Sequence, residues 1–225
     1  METGKQGKHR YNVKRSLFLI RHPQIDNDQK NCFPGNDGRR LSPDGKKEAQ
    51  RIGAELLEYI NVDETLFIVS AMQCCVETWK SMEFEYKNSA MFLNELEELN
   101  FGIWKNRSFG EMHRSYPENF RRFAEFDPTL AFPEGEKISS FLKRVHGVKE
   151  IILNEFSLRS NIVLISHGGI LSVLLCILLE LAPSEYIKFR LFSGSCSILE
   201  IYSNGTASLI GLNKWGRHSE GEWPT

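Results

Sequence analysis

The sequence predicts a three-layer α/β/α sandwich: a mostly parallel sheet with helices on both faces and a small helical cap insertion. Three observations carry this. Short apolar runs without polar alternation, in "SLFLIR", "TLFIVS" and "NIVLIS", are the pattern of strands buried on both faces. Segments with apolar residues at helical spacing lie between them, as the crossovers of a parallel sheet require. One stretch, Glu95 to Gly135, is instead rich in aromatic and charged residues and punctuated by Pro117, Pro128 and Pro133.

Taken in order, residues 1–15 are polar and basic and are read as a disordered tail. Ser16 to Arg21 is a buried strand, followed by a loop rich in Gly, Asn, Asp and Pro. "LSPDGKKEAQRIGAELLEYI" is a helix with Ser42 as N-cap and Pro43 at its first position. Ala49, Ile52, Leu56 and Tyr59 fall on its apolar face. "TLFIVS" is the second strand, Cys74 to Phe84 a helix and "AMFLN" a short strand. Glu136 to Phe156 is amphipathic, with Ile138, Phe141, Leu142, Val145, Val148, Ile151 and Ile152 on one side. "NIVLIS", a helix from Gly169 to Leu181 and a strand pair through "SNGT" complete the chain; the Asn-Gly is a hairpin signal. A single domain is expected over 16–212, with the cap at about 95–135 and a C-terminal tail over 213–225.

At 225 residues the chain can bury a sizeable core. Its apolar content of 41%, charged content of 25% and net charge of −1 are ordinary for a globular protein. That balance points to no nucleic-acid or membrane partner, so an anion must be bound by a local cluster. The N-terminus has no apolar signal region, and the longest apolar stretch, Ile170 to Leu179, is too short to span a bilayer. Five cysteines without a CxxC pair or His/Cys ligand spacing fit reduced thiols in the cytoplasm, with no metal site and no cofactor. A homodimer is the oligomeric form to test; nothing in the sequence decides it.

Arg21-His22 and His167 each follow a predicted parallel strand directly. Ligands of open α/β sheets lie at the carboxyl ends of strands. If the two strands are neighbours, these three side chains converge. Gly168-Gly169 then open a helix, whose N-terminal amides suit an anion. A lone strand-end histidine is usually a hydrogen-bonded structural residue; two of them, one beside an arginine and one before Gly-Gly, favour a phosphate site. No GxxxxGK[ST] or GxSxG motif is present. His9, His113, His146 and His218 are scattered and read as surface residues.

"LIRHP" together with "ISHGG" resembles the histidine phosphatase superfamily, and the likeness continues in order over Leu17 to Leu212. "LSPDGKKEAQRIG" resembles the family's segment through Leu41, Ser42, Gly45 and, in reversed order, Ala49-Gln50. "ELNFGIW" matches through Glu98, Phe101, Gly102 and Trp104, and "PEGEKISSFLKRV" through Gly135, Glu136 and Arg144. The resemblance implies that His22 is the nucleophile, forming a phosphohistidine. Arg21 and His167 would bind the phosphoryl oxygens, and Glu98 would be the general acid. Asn36 and Gly168 are further expected substrate contacts.

With Pro23 after Arg-His, the segment resembles the α-ribazole phosphatase branch more than the mutase branch, and the short chain favours hydrolysis over mutase action. The expected reaction is therefore hydrolysis of a small phosphomonoester, with α-ribazole 5′-phosphate of cobalamin assembly as the leading substrate. A broad phosphatase of sugar or nucleotide monophosphates is the alternative. In "SAMQCCVET", Ser70 and Thr78 align with the family pattern, but Cys74 falls where its second phosphate-binding arginine stands. Either Arg39 or Arg40 replaces that cation, or the chain is a catalytically impaired phosphate-ligand-binding protein. As packing residues, Cys74 and Cys75 would simply be small apolar groups on a helix.

Overall fold

The computed structural model describes residues 15–26, 31–35, 38–84, 90–156 and 159–215. Six strands make one sheet: β1 (Arg15–Arg21), β2 (Thr65–Ser70), β3 (Met91–Leu93), β4 (Asn161–Ser166), β5 (Cys196–Ile201) and β6 (Ala207–Lys214). Their order is β3-β2-β4-β1-β5-β6. The first four are mutually parallel; β5 and β6 run antiparallel at one edge. The α/β sandwich expected from the sequence is thus present, with a mixed sheet. Among the described residues no helix is long and apolar enough to cross a membrane.

Successive strand residues point to opposite faces. Leu17 and Leu19 of β1 join Ile162 and Leu164 of β4 on one face. Phe18 and Ile20 join Val163 and Ile165 on the other. The first face is covered by α5 (Ile138–Glu155) and α6 (Gly168–Leu178), the second by α1 (Pro43–Leu56) and α2 (Gln73–Ser81). Because both faces are covered, the strands carry no polar alternation.

The helices follow local rules, with instructive exceptions. Ser42 Oγ accepts the Gly45 N–H, so α1 starts at Pro43 as capping predicts. It ends at Leu56, and Tyr59, expected on its apolar face, lies beyond it with 49% exposure. Likewise α2 stops at Ser81 rather than Phe84. α5 has no side-chain cap bond. It is held by burial of Ile138, Phe141, Val145, Val148 and Ile152, each contributing roughly 1.5–3 kcal/mol. α6 stops at Leu178, although the apolar pattern runs on to Leu181. There Leu181 N–H bonds the Cys176 carbonyl and Glu180 N–H the Ile177 carbonyl, with Glu180 at φ +59°. This is the Schellman closure of a helix end, built without its usual glycine.

Between β3 and α5 lies the segment expected as a cap. It contains α3 (Phe109–Ser115) and α4 (Pro117–Ala124). Its rings surround Phe33, which meets Phe101, Trp104, Phe109 and Phe123 at 4.7–5.6 Å. Phe33 and residues 106–107 also exchange backbone hydrogen bonds. Phe33 is thereby pinned to the cap, and Pro34 and Gly35 after it become a wall of the cavity.

Residues 1–14, Asn36 and residues 216–225 lie outside the described residues. β6 runs two residues past the boundary expected at 212, and Trp215 stacks on Phe18 with ring centroids 6.5 Å apart.

Candidate active site

β1 and β4 are adjacent, and Arg21 pairs with Ser166 in register. The residues that follow, His22 and His167, therefore emerge side by side, their ring centroids 5.0 Å apart. Both are buried. They face a cavity of about 200 Å³ at the carboxyl end of the sheet. Its wall also includes Glu98, Cys74, Arg39, Gln73, Glu97 and the apolar Ile25, Pro34 and Met72.

His22 is held by its own neighbour: its Nδ1–H donates to the Pro23 carbonyl at 2.8 Å. That bond fixes the tautomer, leaving Nε2 with the lone pair. Burial, with Arg21 and His167 adding to it and Cys74 opposing, lowers the His22 pKa from 6.5 to about 4. The imidazole is neutral near pH 7.

Arg21 Nη1 donates to the Leu191 carbonyl at 2.7 Å. The guanidinium lies flat over Gly168, where a Cβ would come within 3.2 Å of it. Gly168 therefore gives Arg21 room. Gly169 gives Glu98 room: its N–H donates to Glu98 Oε2 at 2.9 Å, and a Cβ there would sit 2.6 Å from Oε1. Glu98 Oε1 also accepts the Leu99 N–H at 3.0 Å. An amide at the start of α6, expected to serve an anion, is taken by the protein's own carboxylate.

The backbone around Glu98 is fastened by Arg144 of α5. This guanidinium makes a two-pronged bond with Glu136, at 2.9 and 3.0 Å, and donates to the carbonyls of Glu95, Glu97 and Glu98. Ser166 Oγ adds a bond to the Leu96 carbonyl at 2.6 Å. The sequence comparison marked Glu136 and Arg144 as matching positions without a role; their contacts make them a clamp on the segment bearing Glu98.

Cys74 lies in the first turn of α2, buried, on the cavity wall. Donor atoms of His22, Cys74 and His167 all lie within 4.8 Å of one another. The hydrogen bond from Cys75 is the largest influence holding the Cys74 thiol far below its ordinary pKa; burial opposes it and His167 adds to it. Burial pushes the Cys75 thiol up. Ser70 Oγ and Cys75 Sγ stand 3.3 and 3.5 Å from His167 Nε2. Thr78 Oγ1 donates back to the Cys74 carbonyl at 2.7 Å.

Of the two candidate replacements for a missing cation, Arg40 reaches outward to Glu77, 3.8 Å away and largely exposed. Arg39 lines the cavity, with its guanidinium on Asn106 Oδ1. The cavity wall thus holds Arg39 against Glu97, Glu98 and a thiol disposed to ionise, an unusual balance for an anion site.

The profile of the histidine phosphatase superfamily (branch 1) matches residues 17–213. The chain belongs to this superfamily. The adenosylcobalamin/α-ribazole phosphatase of Escherichia coli K12 is 27% identical over 186 residues, covering 82% of this chain and 89% of that one. Phosphoserine phosphatase 1 of Hydrogenobacter thermophilus is 25% identical over 186 residues, covering 82% and 86%. The crystal structure of the α-ribazole phosphatase from Shigella flexneri superposes with a TM-score of 0.76 at 26% identity, over 89% of this chain and 97% of that one. These likenesses agree with the superfamily and branch that the "RHP" and "SHGG" segments resemble.

Proposed function

We propose that this histidine phosphatase hydrolyses a small phosphomonoester through a phosphohistidine at His22. The observation that carries the reading is the tautomer of His22. A buried neutral imidazole whose Nδ1–H is spent on a carbonyl offers its Nε2 lone pair to phosphorus. In the first step the N–P bond forms and the ester P–O bond breaks. Glu98, beside the cavity, gives its proton to the departing oxygen. In the second step water attacks phosphorus and gives a proton to Glu98; the N–P bond breaks and inorganic phosphate leaves. His167 and Arg39 bind phosphoryl oxygens, and Arg21 keeps His22 from taking up a proton.

Beyond the groups assigned to the phosphoryl oxygens, the cavity wall combines apolar Ile25, Pro34 and Met72 with Gln73. That mixture suits a sugar or nucleoside-like alcohol, and α-ribazole 5′-phosphate is the first substrate to test, with phosphoserine beside it. The free thiols Cys32, Cys74, Cys75, Cys176 and Cys196 suit a reducing, cytoplasmic setting. A second reading is favoured by Cys74: a weakened enzyme that mainly binds phosphorylated ligands. Turnover of a generic aryl phosphate separates the two. His22→Ala is expected to abolish turnover while the thermal transition is kept, and mass spectrometry of acid-sensitive adducts should find phosphate on His22 in the native chain. Substantial activity in the variant would overturn the assignment.

A further inference from the structure

The sequence shows no metal-ligand spacing because the relevant donors come from three separate elements. The end of β1 supplies His22, the first turn of α2 supplies Cys74 and the end of β4 supplies His167. The fold brings one donor atom from each to within 4.8 Å of the others. Around a tetrahedral zinc, nitrogen and sulfur donors stand about 3.3–3.7 Å apart, given Zn–N of about 2.0 Å and Zn–S of about 2.3 Å. The separations exceed that spacing by at most about 1.1–1.5 Å, the adjustment that zinc binding would require. We propose that His22, Cys74 and His167 form a three-ligand binding site for Zn²⁺, with its fourth position open to the cavity.

Several features besides proximity support this. Two imidazoles and a thiolate are a borderline-soft donor set that suits zinc over magnesium or calcium. The Nδ1–H of His22 already donates to a backbone carbonyl, the partner that metal-bound histidines usually have on their second nitrogen. All three ligands are buried, yet the cavity of about 200 Å³ leaves space for a water or an anion on the fourth position. Binding displaces the Cys74 thiol proton to solvent, forms the Zn–S bond and takes the His22 Nε2 lone pair. A dication less one thiolate charge leaves the cluster cationic, which offsets the acidic Glu97 and Glu98 of the wall. The same bond removes the nucleophile, so zinc and phosphohistidine formation exclude each other.

The inference goes beyond the phosphatase reading and stands without it, because cobalt absorption reports the ligands with no substrate present. Co²⁺ is titrated into the reduced full chain. The expected result is one equivalent bound, with a near-ultraviolet sulfur-to-cobalt charge-transfer band and visible bands of tetrahedral intensity, both removed by Zn²⁺. Cys74→Ser should lose the charge-transfer band and weaken zinc binding by about 10²-fold or more, whereas Cys75→Ser should keep the band. If Cys74→Ser fails to fold, His167→Gln decides, with the visible bands lost. A native chain without the charge-transfer band overturns the site, as does a band that survives Cys74→Ser. In a separate arm, Zn²⁺ should suppress aryl phosphate turnover and a chelator should restore it. A chain that shows the cobalt bands but no turnover with or without chelator keeps the metal site and overturns the phosphatase reading.

Discussion

Glu98 Oε2 accepts the Gly169 N–H at 2.9 Å, so a carboxylate from the segment after β3 rests on the first turn of α6. This contact couples the proposed acid to the helix that follows His167. In a Gln variant the amide oxygen can still accept the Gly169 bond, while the amide nitrogen cannot accept the Leu99 N–H that Oε1 takes, so one of the two backbone contacts is kept.

Glu98→Gln should slow the chemical step by ~10²–10⁴ for alkyl phosphates and far less for activated aryl phosphates. An alkoxide needs a proton as it leaves; a stabilised phenolate does not. Steady-state rates for a matched pair of substrates check this. Equal losses on both would make Glu98 a structural residue.

Arg144→Lys should lower kcat more than it raises KM, because a point charge cannot replace the planar fork that holds Glu136 and three carbonyls at once. The thermal midpoint should also fall, because the ammonium keeps the charge but loses the two-pronged bond to Glu136 and the reach to the three carbonyls. A variant with kcat unchanged and only stability lowered would confine Arg144 to the fold.

Cys74→Arg should raise kcat/KM for phosphomonoesters by at most ~10²–10³, by adding a donor to the cavity wall and removing a thiol disposed to carry negative charge. The side chain has the cavity to enter, so the variant should stay folded; thermal melting and kinetics together check both points. If it folds with unchanged activity, Arg39 already fills the role. In that case Arg39→Ala should abolish activity and Arg40→Ala, directed at Glu77, should not.

Stability should depend on pH through His22. Burial lowers its pKa in the fold to about 4, against 6.5 when exposed. Between those values the unfolded chain holds the extra proton. Stability is therefore fully kept above about 6.5 and falls as the pH drops towards 4, by roughly 3 kcal/mol in all. Urea unfolding at a series of pH values should show the slope, and His22→Asn should flatten it. Parallel curves for the two proteins would mean that the imidazole is not buried neutral.

The layers of this protein were legible in the chain because the local rules and the tertiary structure agree. Unalternating apolar strands required a sheet covered on both faces, and "RHP" and "SHGG" at strand ends required a shared crevice once β1 and β4 were neighbours. Ser42 named the start of α1 for the same reason: the cap bond is local. Helix ends were less legible. α6 stops at Leu178 inside an apolar run because a Schellman closure formed at Glu180, a choice of backbone that hydrophobic pattern does not encode. The contacts made within the site were decided by tertiary structure. Arg21 turns to the Leu191 carbonyl, 170 residues away, and Glu98 occupies the α6 amide. Cys74 comes within 4.8 Å of the donor atoms of two histidines at the carboxyl end of the sheet. Periodicity and spacing report neighbours along a chain; these partners are set by which strands lie side by side and by how closely the glycines at 168 and 169 let other side chains approach.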